Sequence, residues 1–147
     1  GTAPHFELYG LGLTHKHLPE LQTYSNLDQR PIFVPSVGNF RQGMLVSVPL
    51  HLDALDGKPK AADLHAAFVN RYEDCDLVRV VPMNDASITS GRLEAESLNN
   101  TDQLEIRVYA NERHRQAVLV AKLDNLGKGA SGAAVQNLKL MLGLPTA

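Results

Sequence analysis

"QLEIRVYANERHRQAVLVAKLD", residues 103–124, sets two apolar, β-branched runs around a polar pentapeptide. "QLEIRVYA" (103–110) and "QAVLVAKLD" (116–124) flank "NERHR", and the whole reads as a β-hairpin. Upstream, "GMLVSVPLHL" (43–52) alternates as a third strand. Leu45, Ser47 and Pro49 fall on one side, and Met44, Val46, Val48 and Leu50 on the other. "DLVRVVPM" (76–83) is a short strand ended by Pro82.

Helices and loops fill the spaces between. After the turn cluster "DALDGKPK" (53–60), "AADLHAAFVNRYE" (61–73) carries Leu64, Ala67, Phe68 and Tyr72 at helical spacing. Residues 84–101, rich in Asn, Asp, Ser and Gly, form a loop long enough to imply function or an interface. "GKGASGAAVQNLKLMLG" (127–143) is a final helix with Ala130, Ala134, Leu138 and Met141 on one stripe, closed by Gly143. Nearer the start, "FELYGLGL" (6–13) is a strand or approach loop. "LPELQTYS" (18–25) is a helix with Pro19 at its first turn and Leu18, Leu21 and Tyr24 inward. "PIFVPSV" (31–37) is an edge strand interrupted by Pro35. Strands joined by hairpins imply an α+β fold: a mixed, mostly antiparallel sheet with helices on one face. The other face needs a cover, and a second copy of the chain is the simplest one.

Composition narrows the function. The chain has 147 residues, 44% hydrophobic and 20% charged, with a net charge of −2. No basic run argues for nucleic acid, and no apolar run reaches the length of a membrane span. A lone cysteine, Cys75, fits a reducing compartment and hence the cytoplasm. It stands between Asp74 and Asp76, whose charges disfavour a thiolate, so it is a poor nucleophile. The chain opens Gly-Thr-Ala-Pro without Met, which suggests one piece of a longer protein.

Two stretches could carry chemistry. In "LTHKHLPEL" (13–21), an extended backbone would point His15 and His17 the same way, and Glu20 follows. A positioned imidazole can pass a proton in either direction, but spacing alone fits a polar turn just as simply. The other histidines, at 5, 51, 65 and 114, stand apart, so no metal site is expected. In "LDNLGKGASGAAVQNL" (123–138), glycines at 127, 129 and 132 mark a helix start, but no βαβ unit follows to make it a dinucleotide site. Close packing of backbones explains the small residues better, and Asp124 and Asn125 at the loop tip are open to a ligand. Arg41 in "VPSVGNFRQG" could meet an anion or solvent.

"THKHLPE", "VPSVGNFRQGML" and "LDNLGKGASGAAVQNLKLMLG" together, in this order, resemble the N-acetyl-γ-glutamyl-phosphate reductase family in its shorter bacterial form. The first stretch follows a family pattern H-x-H-x-P-E, and the likeness covers nearly the whole chain. It is a likeness to the carboxy-terminal part only. The family's Rossmann domain and catalytic cysteine lie upstream of it, and neither pattern occurs here. The resemblance implies one catalytic and dimerisation domain over 1–147, similar in fold to that of aspartate-semialdehyde dehydrogenase, of the glyceraldehyde-phosphate-dehydrogenase-like type. It implies an NADPH-dependent oxidoreductase of arginine biosynthesis acting on N-acetyl-γ-glutamyl phosphate. By it, His15 is the acid/base, His17, Glu20 and Arg41 hold substrate, Asn125 approaches the nicotinamide, and the helix 129–142 packs on the upstream domain. The chain alone would then be inactive and self-associate through its sheet. Two alternatives stay open: a non-catalytic self-association domain, and a relative acting on an amino-adipyl phosphate in lysine biosynthesis.

Overall fold

The computed structural model describes residues 4–146, so residues 1–3 and 147 of the expected 1–147 domain lie outside the described residues. The chain divides into two compact units, Gly1–Arg41 and Gln42–Ala147.

The larger unit is built on the hairpin. Strands β5 (Leu104–Asn111) and β6 (Gln116–Leu123) pair antiparallel, with Leu104 opposite Leu123 and Asn111 opposite Gln116. The connection is a 3₁₀ turn, Glu112–His114, and Arg115 at φ 52° closes it in the left-handed region. β3 (Met44–His51) pairs antiparallel with the other side of β6, and β4 (Val78–Val80) runs parallel to β5. The order β3-β6-β5-β4 is a mixed, mostly antiparallel sheet, and the fold is α+β as expected. Pro49, which has no N–H to give, is tolerated because β3 is an edge strand.

Strand alternation gives the sheet two unlike faces. Val108, Ala117 and Leu119 share one face, on which α2 (Ala61–Tyr72) lies. Leu52, Ala61, Val108 and Ala117 are its buried centre, with Leu64, Phe68 and Met83 packed around them. Ala67, expected in that contact, is exposed. Lys60 precedes the helix, with its backbone N–H given to the Asp63 carboxylate, and the Glu112 carboxylate accepts from the Ala61 N–H.

Glu105, Arg107, Lys122 and Val120 share the opposite face, and all four are buried. Their cover is the long loop 84–101, which contains a short helix, α3 (Ala86–Thr89). Arg107 donates to the Ser87 hydroxyl at 2.8 Å, and Lys122 donates to that of Ser97 at 2.6 Å. Between these cations lies Glu105, 2.7 Å from Arg107 and 3.5 Å from Lys122. Burial opposes the Glu105 charge. Arg107, by hydrogen bond and by charge, then Lys122 and Arg79, hold its carboxyl below the usual range nonetheless. Beyond the loop an open groove of about 770 Å³ remains, with Leu45, Ser47, Ile88, Leu93 and Val118 among its walls.

Three local expectations need correction. Residues 127–143 do not form one helix. A π-helical turn, Gly127–Ser131, precedes α4 (Gly132–Met141). A Cβ at Gly132 would meet the Asp102 carboxylate, which would have to move aside for any larger residue. The stripe of α4 is exposed, with Met141 at 84%. Among the described residues of the smaller unit, only β1 (Phe6–Leu8) and β2 (Ser36–Gly38) pair as strands. Pro31–Pro35 lacks regular structure, two prolines leaving few donors for a ladder, and the chain after β1 turns at Gly10 with φ 64°. Helix α1 (His17–Tyr24) starts one residue earlier than expected, with Pro19 still in the first turn, where its missing N–H costs nothing. Leu18 is buried, but Tyr24 is 87% exposed and not inward.

Removing the central anion should cost more than removing its outer partner. Glu105→Ala leaves Arg107 and Lys122 buried without a counter-charge, and should lower unfolding stability by about 3–5 kcal/mol. Arg79 is mostly solvent-exposed, and Arg79→Ala should cost no more than about 1 kcal/mol. Urea unfolding of both variants measures the difference.

Candidate active site

His15 and His17 are brought together, though not by an extended backbone. Lys16 has helical dihedrals, and His17 opens α1. The chain bends there, and the two rings meet edge to face with centroids 4.7 Å apart. The Phe33 ring centroid stands 5.1 Å from that of His15, and the Tyr9 centroid stands 5.8 Å from it. The His15 carbonyl accepts from the Leu18 N–H at 3.0 Å, and its Nδ1 accepts from the His17 N–H at 3.3 Å. His15, just before the cap residue Lys16, therefore satisfies two of the donors that a helix start leaves open. It is half-buried, while His17 is exposed.

Glu20 lies three residues after His17 on α1, so the two occupy neighbouring positions on one helix face. It is exposed, as is Arg41, and neither forms an ion pair among the described residues. Among the described residues no group of three His, Cys, Asp or Glu side chains is placed to hold a metal ion.

Asn125 belongs to the larger unit. Its Oδ1 accepts from the Gly43 N–H at 2.7 Å, which fixes the amide and leaves Nδ2 as the end it can offer. The residue before it, Asp124, is 1% exposed and is no surface loop tip. Its carboxylate accepts from Leu126 N at 2.8 Å, Asn100 N at 2.7 Å and Gln42 Nε2 at 2.8 Å. The Leu126 N–H does most to hold this carboxyl below its usual range, against the opposing effect of burial; Asn100, Gly127 and Gln42 add to it. Gly43 is forced by the same knot: its φ is +112°, and a Cβ there would stand 2.5 Å from the Ala95 carbonyl oxygen.

The sequence reading missed Gln42 and Asn100, which donate to Asp124, Gly43 and Asn99, which bond their neighbours, and Tyr9 and Phe33, whose rings stand near His15. Only the positive-φ glycine after Gln42 could have hinted at the first group. For the aromatic pair no signal exists, because contact with His15 depends on how residues 26–35 return.

The family model for the semialdehyde dehydrogenase dimerisation domain matches residues 2–125. Among curated proteins the chain is similar to N-acetyl-gamma-glutamyl-phosphate reductases of Brucella ovis, Brucella canis and Brucella melitensis biotype 1. It is 55% identical to each over 136 residues, which is 92% of this chain and 44% of the relative. The chain thus spans less than half the length of the curated relatives it matches.

Acid should reveal the Asp124 knot. A carboxyl held low in the folded state adds stability that is complete above its ordinary value of 3.8 and is lost as pH falls through the lower folded value. Asp124→Asn removes that contribution, so its thermal midpoint should lie several degrees below the wild type near neutrality. The gap should narrow as pH drops below 3.8. Melting curves of the two proteins from neutrality into acid give the comparison.

Proposed function

The chain belongs to the semialdehyde dehydrogenase dimerisation-domain family, and on that premise we propose that it is the catalytic and dimerisation domain, over 1–147, of a reductase. The reaction is conversion of N-acetyl-γ-glutamyl phosphate into N-acetylglutamate semialdehyde and phosphate, in the cytoplasm, within arginine biosynthesis. The observation that carries this reading is the match to the Brucella reductases across nearly the whole chain.

The residues fit the chemistry. Attack by a thiolate on an acyl phosphate releases phosphate and leaves a thioester, which is then reduced to the aldehyde. Cys75, between two aspartates, is unsuited to be that thiolate, so the nucleophile comes from the part of the protein outside these residues. NADPH supplies the hydride. Asn125 fits a nicotinamide carboxamide, because the Gly43 N–H holds its Oδ1 and leaves Nδ2 to donate. His15 is the acid/base position, acting on the reacting oxygen. His17, Glu20 and Arg41 hold the substrate: the Arg41 guanidinium and a ring N–H of His17 suit its phosphate and carboxylate, and Glu20 suits its amide N–H.

Self-association through the sheet completes the reading. β3 is an edge strand on which Leu45, Val46 and Val48 are exposed, and the groove beside Leu45 has apolar walls. A second copy would cover the apolar surface. No helix of the described residues is long and apolar enough to cross a membrane.

Two measurements test this. In the intact protein, His15→Ala should lower kcat by about 10²–10⁴-fold with little change in KM. Glu20→Ala should mainly raise KM for the acyl phosphate, since holding an unreacting group is uniform binding. Equal effects from the two would remove the division of roles. By light scattering at micromolar concentration the 147-residue chain should be a dimer or larger, and Leu45→Glu should shift it towards monomer. A monomeric wild type would defeat the interface.

A further inference from the structure

The peptide between Gln42 and Gly43 has its direction fixed from outside. Gly43 stands at φ +112°, and a Cβ there would come 2.5 Å from the Ala95 carbonyl oxygen. Glycine is therefore required, and without a Cβ its own sterics do little to fix the plane of the peptide. Hydrogen bonds at the two ends fix it instead. The Gly43 N–H donates to Asn125 Oδ1 at 2.7 Å, and the Gln42 carbonyl accepts from Asn99 Nδ2 at 3.1 Å. Asn99 is itself placed by the end of the long loop. Its N–H donates to the Glu96 carbonyl, and its neighbour Asn100 donates to Asp124 and accepts from Gln42 Nε2. The Asn99 Oδ1 is buried and has no hydrogen-bond partner among the described residues. Turning that amide over would set Oδ1 against the Gln42 carbonyl oxygen, two acceptors face to face. The side chain thus keeps its donor on the Gln42 carbonyl although this leaves an acceptor bare.

We propose that Asn99 is a positioning residue for the nicotinamide: by holding the Gln42 carbonyl it fixes which end of the Asn125 amide is offered. A peptide carries its N–H and its C=O on opposite sides. If the Gln42–Gly43 plane turned over, its carbonyl would face Asn125 in place of its N–H. The Asn125 amide would then have to turn Nδ2 inward and offer Oδ1. With the plane held, Nδ2 is the free end, a donor matched to the carbonyl oxygen of a carboxamide. The inference rests on the reductase reading, in which Asn125 meets the nicotinamide. It goes beyond that reading by placing control of the contact on the loop 84–101. Asn99 touches no reacting atom in this role and acts only through Asn125.

The test uses the intact protein. Asn99→Leu keeps a branched side chain of similar shape and removes both the donor and the orphaned oxygen. One unpaired acceptor, Oδ1, is exchanged for another, the Gln42 carbonyl, so the thermal midpoint should stay within a few degrees of the wild type. The Kd for NADPH, read by fluorescence titration, should rise about three- to tenfold, the net worth of one hydrogen bond. KM for the acyl phosphate should not change. Hydrogen exchange at the Gly43 amide should become several-fold faster. Asn125→Ala should weaken NADPH binding as well, and the double variant should be no weaker than Asn125→Ala alone, since Asn99 acts through it. Asn99→Asp keeps the shape and loses the donor, and it carries the same binding and exchange expectations if the leucine variant does not fold. Unchanged NADPH affinity or unchanged Gly43 exchange in a folded Asn99 variant would overturn the inference, as would effects that add in the double variant. If Asn125→Ala binds NADPH like the wild type, the cofactor reading of Asn125 is what fails, and the positioning role falls with it.

Discussion

A single buried carboxylate, that of Asp124, ties together three parts of the larger unit. It receives Gln42 at the entry to β3, Asn100 at the end of the long loop and Leu126 just past β6. A charge in the interior is tolerable only when its lone pairs are filled, and here backbone donors fill most of them. The consequences run outward along the chain. The Asp124 carbonyl accepts from Gly129 N and starts the π turn that leads into α4. Asn125, next in sequence, is left facing the Gly43 N–H, which sets the direction of its amide. Neither the orientation of Asn125 nor the start of the last helix is independent of this one side chain.

The loop 84–101 obeys a similar logic. A segment with little regular structure has backbone and side-chain groups that need partners, and it cannot be laid on an apolar sheet face without them. β5 and β6 provide those partners by alternation. Ile106 and Val108 point towards the α2 side, while Glu105 and Arg107 point towards the loop, joined there by Lys122. Arg107 reaches Ser87, whose own hydroxyl donates to Asp85, the cap of α3. The charged face is thus an anchoring surface, and Glu105 is what allows two cations to be buried side by side.

This explains what could be read from the sequence and what could not. The hairpin, β3 and α2 were legible because each has an apolar period and a clear stop. The family was legible because one long, specific motif, 123–143, follows two shorter ones in order. Burial of Glu105, Arg107 and Lys122 was not, since alternation predicts that they share a face but not that an aperiodic loop covers it. Asp124 misled for a related reason: an aspartate after a strand reads as a solvated turn, and its three donors come from positions 42, 100 and 126. The histidine pair was foreseen by a mechanism that does not operate. Period-two geometry was replaced by the bend at Lys16, and the rings still met.

That bend also joins folding to chemistry in the smaller unit. A helix start leaves N–H groups unsatisfied, and Ser, Thr, Asp or Asn usually supplies the acceptor. Here the acceptors are a histidine's carbonyl and its Nδ1. An oxygen cap would satisfy the helix equally well and leave nothing reactive behind. An imidazole has a second nitrogen, and committing the first determines what the second can offer. The local need of α1 for an acceptor therefore turns Nδ1 towards the helix start and leaves Nε2 as the nitrogen the ring presents.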